Sequence, residues 1–130
     1  MSFKGFPTDS LILFAFKAKT FDLSNIAEVK KLRFFGWSTY QSLICTQKDT
    51  NLTFLEINGT SLTSFPQGLH KLENLQELHI HNSLLNDITF DVTKFKKLGL
   101  LYITNSKLTQ TQIEELQKNC GSKGIICIVK

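Results

Sequence analysis

The chain has 130 residues, of which 42% are hydrophobic, and a formal net charge of +4. This length allows one domain with a substantial core and hardly two. The basic residues are scattered in short groups, so the chain is mildly basic and lacks the basic arm of an electrostatic nucleic-acid binder. We therefore expect residues 1–130 to form a single domain.

The apolar run Leu11–Phe16 near the N-terminus is too short to span a bilayer. No clear cationic region precedes it and no small-residue cleavage site follows it, so it is not typical of a signal peptide. The cysteines Cys45, Cys120 and Cys127 are an odd number at wide spacing, which supports neither a disulfide framework nor a paired-cysteine zinc site. These features predict a cytoplasmic protein without a membrane partner or a cofactor.

An internal repeat of 23 residues covers most of the chain. Alignment of residues 52–74 with residues 75–97 superimposes five apolar pairs, which are Leu52 and Leu75, Leu55 and Leu78, Ile57 and Ile80, Leu62 and Leu85, and Phe65 and Ile88. The spacing continues at equivalent residues of the flanking segments, namely Val29, Leu32, Phe34, Leu98, Leu101, Ile103 and Leu108. A shorter copy begins at Leu11 and has three aromatic residues in the same relative places, Phe14, Phe16 and Phe21.

This pattern of apolar residues resembles the leucine-rich repeat family, whose units run about 20 to 29 residues. The resemblance implies an α/β solenoid, a horseshoe arc of about five repeats, with a parallel β-sheet on its concave face and helical or 3-10 segments on its convex face. In the family, an asparagine usually lies between the strand and the next leucine, and this chain has Thr60, Ser83 and Ser106 at that position instead. Their hydroxyls can still bond the backbone of the turn.

The repeats divide the expected domain into segments. We expect an N-terminal repeat or cap, four repeats and a closing strand, with the respective bounds 1–28, 29–51, 52–74, 75–97, 98–122 and 123–130. Within residues 75–81, apolar and polar residues alternate, which predicts a half-buried strand with Leu78 and Ile80 inward. The return segments carry apolar residues three apart, which predicts a buried helical or 3-10 stripe formed by Leu69, Leu72, Val92 and Phe95.

The last repeat contains the clearest helix signal. Thr111 and Glu114 are spaced as a capping box, and Gly121 suits the C-terminal cap. The residues predicted on its buried face are Ile113, Leu116 and Cys120. In the closing strand we expect Ile126 and Ile128 to point inward, which leaves Ile125, Cys127 and Val129 outward. An apolar open edge of this kind either forms a homodimer through residues 125–129 or is covered by neighbouring loops.

The outward strand positions form three predicted rows on the concave face. These rows are Leu13, Lys31, Phe54, Glu77 and Leu100; Ala15, Arg33, Glu56, His79 and Tyr102; and Lys17, Phe35, Asn58, His81 and Thr104. Aromatic and Arg side chains inside a polar frame are typical of protein interfaces. The predicted partner-binding residues are Arg33, Phe35, Phe54, Glu56, Asn58, Glu77, His79, His81, Leu100 and Tyr102. Alternatively, the apolar members only cover the sheet or pack under the N-terminal segment.

His79 and His81 lie two residues apart on one strand and therefore share a face. Glu56 on the adjacent strand, with Glu77, can complete a two-histidine and carboxylate set for a metal. The spacing of the histidines is, however, dictated by the repeat, so we assign them to interface polarity and expect no metal. A metal-binding protein centred on Glu56, His79 and His81 is the alternative, and a pH-dependent contact is a further one. His70 is expected to be solvated on the convex side.

Two other functions fit the sequence less well. Lys17, Lys31 and Arg33 gather near aromatic residues, as in a single-strand binder, but Glu56 and Glu77 beside them would repel phosphate. A shallow curved sheet also lacks the pocket in which catalytic groups converge. We therefore predict a non-enzymatic module that binds a protein partner, of the adaptor or inhibitor (immunity) type. The second alternative is a structural subunit that self-associates through the C-terminal edge strand.

Overall fold

The computed structural model describes residues 9–14, 20–22, 28–36, 42–44, 51–59, 61–66, 68–89 and 91–130. In chain order its main elements are β1 (Ser10–Phe14), β2 (Thr20–Asp22), β3 (Lys31–Phe35), β4 (Ser42–Ile44), β5 (Phe54–Asn58), β6 (Glu77–His81), β7 (Leu100–Thr104), α1 (Gln110–Ser122) and β8 (Ile126–Val129). Short 3-10 turns occupy Leu69–Lys71 and Val92–Lys94. Six strands form one all-parallel sheet in the order β1-β3-β5-β6-β7-β8, and β2 pairs with β4 in parallel. The fold is therefore of the α/β type.

The register of the central strands follows the sequence repeat. Lys31 of β3 pairs with Phe54 of β5, Phe54 pairs with Glu77 of β6, and Glu77 pairs with Leu100 of β7. Each pairing joins residues that are 23 apart, so equivalent positions of the repeat lie side by side. Side chains on a strand alternate between its two faces, and a fixed register therefore places each repeat position on the same face throughout.

One face of the sheet carries the core. Leu55, Ile57, Leu78 and Ile80 have no solvent-exposed surface, which confirms the inward positions that the alternation predicts. The return segments cover this face with the predicted stripe, because Leu69, Leu72, Val92 and Phe95 are all buried. Complete burial of one such aliphatic side chain contributes about 1.5–3 kcal/mol. The core side of the sheet therefore holds the repeat units together.

The residue just after each central strand has a left-handed backbone. Gly36, Gly59, Asn82 and Asn105 have φ angles of 73°, 68°, 54° and 52°. Glycine adopts this conformation without strain, and asparagine tolerates it better than most residues. Each of these four residues donates its backbone N–H to a carbonyl of the next strand or, for Asn105, of Lys130, at 2.8–3.0 Å. This position, which the apolar spacing did not reveal, ends the four strands β3, β5, β6 and β7 at equivalent places.

Side chains strengthen the same turns. Asn82 Nδ2 donates to Asn58 Oδ1, and Asn105 Nδ2 donates to Asn82 Oδ1, each at 3.0 Å, so three asparagines form a ladder across the sheet. The Ser83 hydroxyl accepts from the backbone N–H of Leu85 at 3.2 Å, and the Ser106 hydroxyl accepts from that of Leu108 at 3.4 Å. The predicted role of these two serines is therefore confirmed, and Thr60 lies outside the described residues.

The N-terminal register differs from the prediction by three residues. Ser10, Ile12 and Phe14 pair with Lys31, Arg33 and Phe35, whereas we expected Leu13 beside Lys31. Leu13 instead packs against the core, and Phe14 is 72% exposed. The observed register turns the aliphatic Leu11 and Leu13 inward as neighbours of Leu32 and Phe34. The alignment through Phe14 and Phe16 was wrong because several apolar registers exist in this run, and the aliphatic one fills the core. Ala15 and Lys17 lie outside the described residues.

The helix caps also differ from the prediction. The N-cap is Thr109, which forms a reciprocal capping box with Gln112, so the expected pair Thr111 and Glu114 was wrong by two residues. At the other end, the left-handed residue is Gly124, with φ 72°, and Gly121 remains helical. The N–H groups of Gly124 and Ile125 donate to the carbonyls of Gly121 and Cys120, which is a Schellman motif. Leu116 and Cys120 are buried as expected, while Ile113 is half-buried.

The closing strand has the opposite orientation to the one predicted. Ile126 and Ile128 pair with Leu100 and Tyr102 and are 63% and 36% exposed. Ile125 is buried, and Cys127 and Val129 pack against the core. A shift of one residue reverses every side chain of a strand. The observed register turns three apolar residues inward instead of two, which gains apolar burial and accounts for the difference.

Candidate functional site on the open face

The sheet face opposite the core carries all the residues that the sequence predicted for partner binding. We call this surface the open face, and its central members are the outward side chains Arg33, Phe35, Phe54, Glu56, Asn58, Glu77, His79, His81, Leu100 and Tyr102. All ten are half-buried. The strand register sets their spacing, because each row position of one strand pairs directly with the same position of the next.

A continuous line of planar groups crosses the open face. The Arg33 guanidinium lies over the Phe54 ring at 5.0 Å, and the Phe54 ring lies 4.7 Å from that of His79. The Tyr102 ring contacts His79 edge-to-face at 5.5 Å. Lys130 extends the line, with its ammonium 5.9 Å from the centre of Tyr102. Such contacts fix the orientation of large side chains and leave part of each ring accessible to a partner.

Glu56 lies in the middle of this surface. Its side chain is only 14% exposed, and its Oε1 is 4.0 Å from Arg33 Nε and 3.9 Å from His81 Nε2. Both distances exceed those of a hydrogen bond. The carboxylate is thus largely removed from water and held by loose electrostatic contacts. A cation closer to the Glu56 carboxylate than Arg33 and His81 would interact with it more strongly than either of these residues does.

His81 has a fixed orientation. Its Nδ1 is 2.7 Å from the hydroxyl of Thr104 on β7, which leaves Nε2 directed toward Glu56. Burial lowers the pKa of His81, the Glu56 carboxylate partly opposes this effect, and His79 adds a smaller lowering. The lowered pKa favours the neutral imidazole at neutral pH, and Nε2 can then present a lone pair.

His79 holds the least satisfied polar atom of the open face. Its side chain is 14% exposed, and no described residue forms a hydrogen bond with its buried Nε2. Glu77 Oε1 lies 3.5 Å from this nitrogen, which is too far for a good hydrogen bond. A buried polar atom without a partner costs about 1–3 kcal/mol. The sequence places an energetically unfavourable atom here, and native proteins retain such atoms most often where they serve a function.

The three ionisable groups at the centre form a compact cluster. One ligand-type atom from each of Glu56, His79 and His81 lies within 4.8 Å of the other two. Two imidazoles and one carboxylate are a donor set typical of zinc and related ions. Glu77, which the sequence suggested as a further ligand, contacts His79 but is not part of this compact cluster.

Both ends of the open face contain residues that the sequence analysis assigned elsewhere. At the first end, the Phe14 ring stacks on Phe35 at 5.4 Å, so Phe35 is partly covered by the N-terminal strand. At the other end, Ile126 and Ile128 continue the rows of Leu100 and Tyr102. The apolar character of β1 and β8 was evident in the sequence, but the face toward which each residue points was not. Of the basic residues that the sequence groups near aromatic side chains, Lys17 lies outside the described residues.

Other reactive or concave features of the described residues offer less chemistry. The Cys120 thiol is fully buried in α1, and its hydrogen bond with Cys127 and its burial both raise its pKa. A buried thiol with a raised pKa is a poor nucleophile.

A groove of about 330 Å³ between the two 3-10 turns includes His70, Asp91 and Lys94 in its lining. His70 is solvent-exposed as expected, and the Asp91 carboxylate accepts from the Thr93 backbone as the cap of its turn.

Comparison with known proteins gives no family assignment, because no family model and no curated protein matches the chain. Among the described residues, no helix has both the length and the apolar character needed to cross a membrane.

Proposed function

We propose that this chain is a short leucine-rich repeat protein that binds a protein partner through its open face, as an adaptor or an inhibitor. The observation that carries the proposal is the line of planar groups from Arg33 through Phe54 and His79 to Tyr102. In a leucine-rich repeat array, this face is the concave one and presents equivalent positions of successive repeats to a partner.

The composition of the open face supports a protein partner. Arg, Tyr and other aromatic residues are the side chains that most often contribute large binding energies at protein interfaces. Here their mutual contacts already orient these side chains, so little side-chain entropy would be lost when a partner binds. Asn58, Glu56 and Glu77 surround them with polar groups that can define specificity. The two carboxylates also make the same surface unfavourable for the phosphates of a nucleic acid.

A binding function without catalysis is consistent with the shape of the site. The central residues are spread over four neighbouring strands on a half-exposed sheet. Catalysis requires a nucleophile, a base and an orienting group that converge in a pocket. We also propose a cytoplasmic location, and the free thiols of Cys120 and Cys127 support it because free cysteines are typical of a reducing compartment.

The proposal is tested by affinity capture from the native lysate, with bound proteins identified by mass spectrometry. The bait is the wild-type chain, and the test variant carries Phe54→Ala, His79→Ala and Tyr102→Ala together. We expect a specific partner whose recovery falls by about tenfold or more in the variant, since loss of one strong contact can cost 2 kcal/mol or more. The interaction is then reproduced with the purified partner and measured by calorimetry.

A matched control carries His70→Ala, Leu84→Ala and Lys94→Ala, three exposed residues outside the strands. This variant should retain the partner, and thermal unfolding should show that both triple variants remain folded. A partner that binds the open-face variant as tightly as the wild type would contradict the site. If the control variant lost the partner to the same extent, the open face would not be the surface that determines binding.

Self-association is a second candidate, favoured by the exposed side chains of Ile126 and Ile128 on the last strand of the sheet. A strand with an open edge and apolar outward residues can pair with a second chain. Light scattering over a range of concentrations tests this candidate. A dimer that dissociates in Ile126→Lys would support it, and a monomer at high concentration would reject it.

A further inference from the structure

We propose that Glu56, His79 and His81 bind one zinc-type divalent transition-metal ion on the open face. The inference does not depend on the proposed function, since it follows from the positions of three donor atoms. Imidazole nitrogens and carboxylate oxygens are ordinary zinc ligands, and sites with three protein ligands leave a fourth position for water or another group.

The strand register brings the donors together. Glu56 of β5 pairs directly with His79 of β6, and His81 follows two residues later on the same face of β6. Neighbouring strands are only about 4.8 Å apart, so side chains in adjacent rows can bind one ion. Because all three residues lie on strands of one hydrogen-bonded sheet, their backbone positions are fixed before the ion arrives.

The distances fit a site that tightens around the ion. One donor atom from each residue lies within 4.8 Å of the other two, and Glu56 Oε1 and His81 Nε2 are 3.9 Å apart. Zinc bonds of about 2.0–2.2 Å in a tetrahedral arrangement place ligand atoms roughly 3.4 Å apart. The required contraction, at most about 1.4 Å from the 4.8 Å limit, can be supplied by rotation of the three side chains about their χ bonds.

The orphaned Nε2 of His79 is an independent indication of a ligand. This buried nitrogen has no hydrogen-bond partner among the described residues, and its imidazole belongs to the compact cluster with Glu56 and His81. A metal ion would satisfy its lone pair and remove the energetic cost of its burial. Among the described residues, no side chain acts as a hydrogen-bond partner for this nitrogen in the structure.

His81 has the outer contact that metal-binding histidines typically show. Its Nδ1 and the Thr104 hydroxyl are 2.7 Å apart, which orients the ring so that Nε2 is the ligand atom. A ligating histidine usually donates its second ring N–H to an oxygen in this way. Thr104 is thus a positioning residue for the site.

The surrounding charges permit a divalent ion. Arg33 Nε is 4.0 Å from Glu56, but the guanidinium also lies over the Phe54 ring and keeps that contact if the carboxylate turns toward the ion. Glu77 Oε1, 3.5 Å from His79 Nε2, adds a second negative charge beside the cluster. The rings of Phe54 and Tyr102 flank the histidines and limit the access of water.

The test is a titration of zinc into the chain purified without a histidine tag and treated with a chelator. We expect one ion per chain by calorimetry and by elemental analysis after dialysis. His79→Ala and His81→Ala should abolish saturable binding, Glu56→Gln should weaken it by at least tenfold, and Thr104→Val should weaken it by about 10–100-fold. His70→Ala removes an exposed histidine outside the cluster and should bind zinc like the wild type.

Two further readouts use the unmodified chain, so the test does not depend on the folding of any variant. Cobalt(II) should give the intense visible absorption of a tetrahedral site, and zinc should shift the side-chain ¹⁵N resonances of His79 and His81 but not those of His70. Absence of saturable zinc binding by the wild type, or equal shifts in all three histidines, would overturn the proposal. Because the titration contains no partner, its failure leaves the proposed interaction intact, and loss of the interaction leaves the titration unaffected.

Discussion

The two faces of β5 and β6 differ in the type and the burial of their side chains. On the core side, Leu55, Ile57, Leu78 and Ile80 are apolar and fully buried. On the open face, the alternate residues of the same strands are polar or aromatic and half-buried, and His79 carries a buried nitrogen without a hydrogen-bond partner. The core side therefore stabilises the fold, whereas the open face retains polar groups that are better suited to binding than to stability. Substitutions on the two faces should have different, and in one case opposite, effects on the free energy of unfolding.

The largest effect is expected on the core side. Leu78→Ala removes a fully buried side chain from the central strand and should lower the free energy of unfolding by about 2–5 kcal/mol. Urea denaturation of the purified variant measures this loss. Phe54→Ala, on the neighbouring strand but on the open face, is the matched comparison and should cost less, because Phe54 is only half-buried. Equal losses for the two variants would contradict the proposed division between the faces.

The sequence predicted the core side better than it predicted the ends of the sheet. From Leu52 to Ile103 the apolar period of 23 admits a single register, and the strands, the 3-10 turns and the grouping of Glu56, His79 and His81 followed from it. In β1 and β8 nearly every residue is apolar, so either register would turn apolar side chains inward, and alternation cannot choose between them. Only packing against neighbouring strands resolves that choice.

The strand ends show a second limit. The left-handed position occupied by Gly36, Gly59, Asn82 and Asn105 has the same 23-residue period as the leucines, but its signal is backbone conformation and not hydropathy. The orphaned nitrogen of His79 was likewise invisible in the sequence, because hydrogen bonding depends on side-chain orientation. A search for periodic Gly and Asn would have found the first feature, and no sequence pattern would have found the second.

A smaller effect is expected at the turns, which both faces share. Asn82→Ala forces a left-handed backbone on alanine and removes the side-chain bonds to Asn58 and Asn105. The variant should lose about 1–2 kcal/mol of unfolding free energy. Asn82→Gly keeps the favourable backbone and loses only the ladder, so it should unfold between the alanine variant and the wild type in urea. An alanine variant as stable as the glycine variant would show that the backbone conformation contributes little.

The smallest effect should have the opposite sign, and it provides the sharpest distinction between the faces. His79→Leu replaces the buried nitrogen with an apolar group of similar size and keeps the contacts with Phe54 and Tyr102 largely filled. In buffer with a chelator, the free energy of unfolding should rise by about 1 kcal/mol, since an unsatisfied polar group is removed. His70→Leu, at an exposed position, should change it little. A clear decrease in the free energy of unfolding of His79→Leu would mean that the imidazole contributes to folding. An increase together with loss of zinc binding would indicate that His79 is retained for function at the expense of stability.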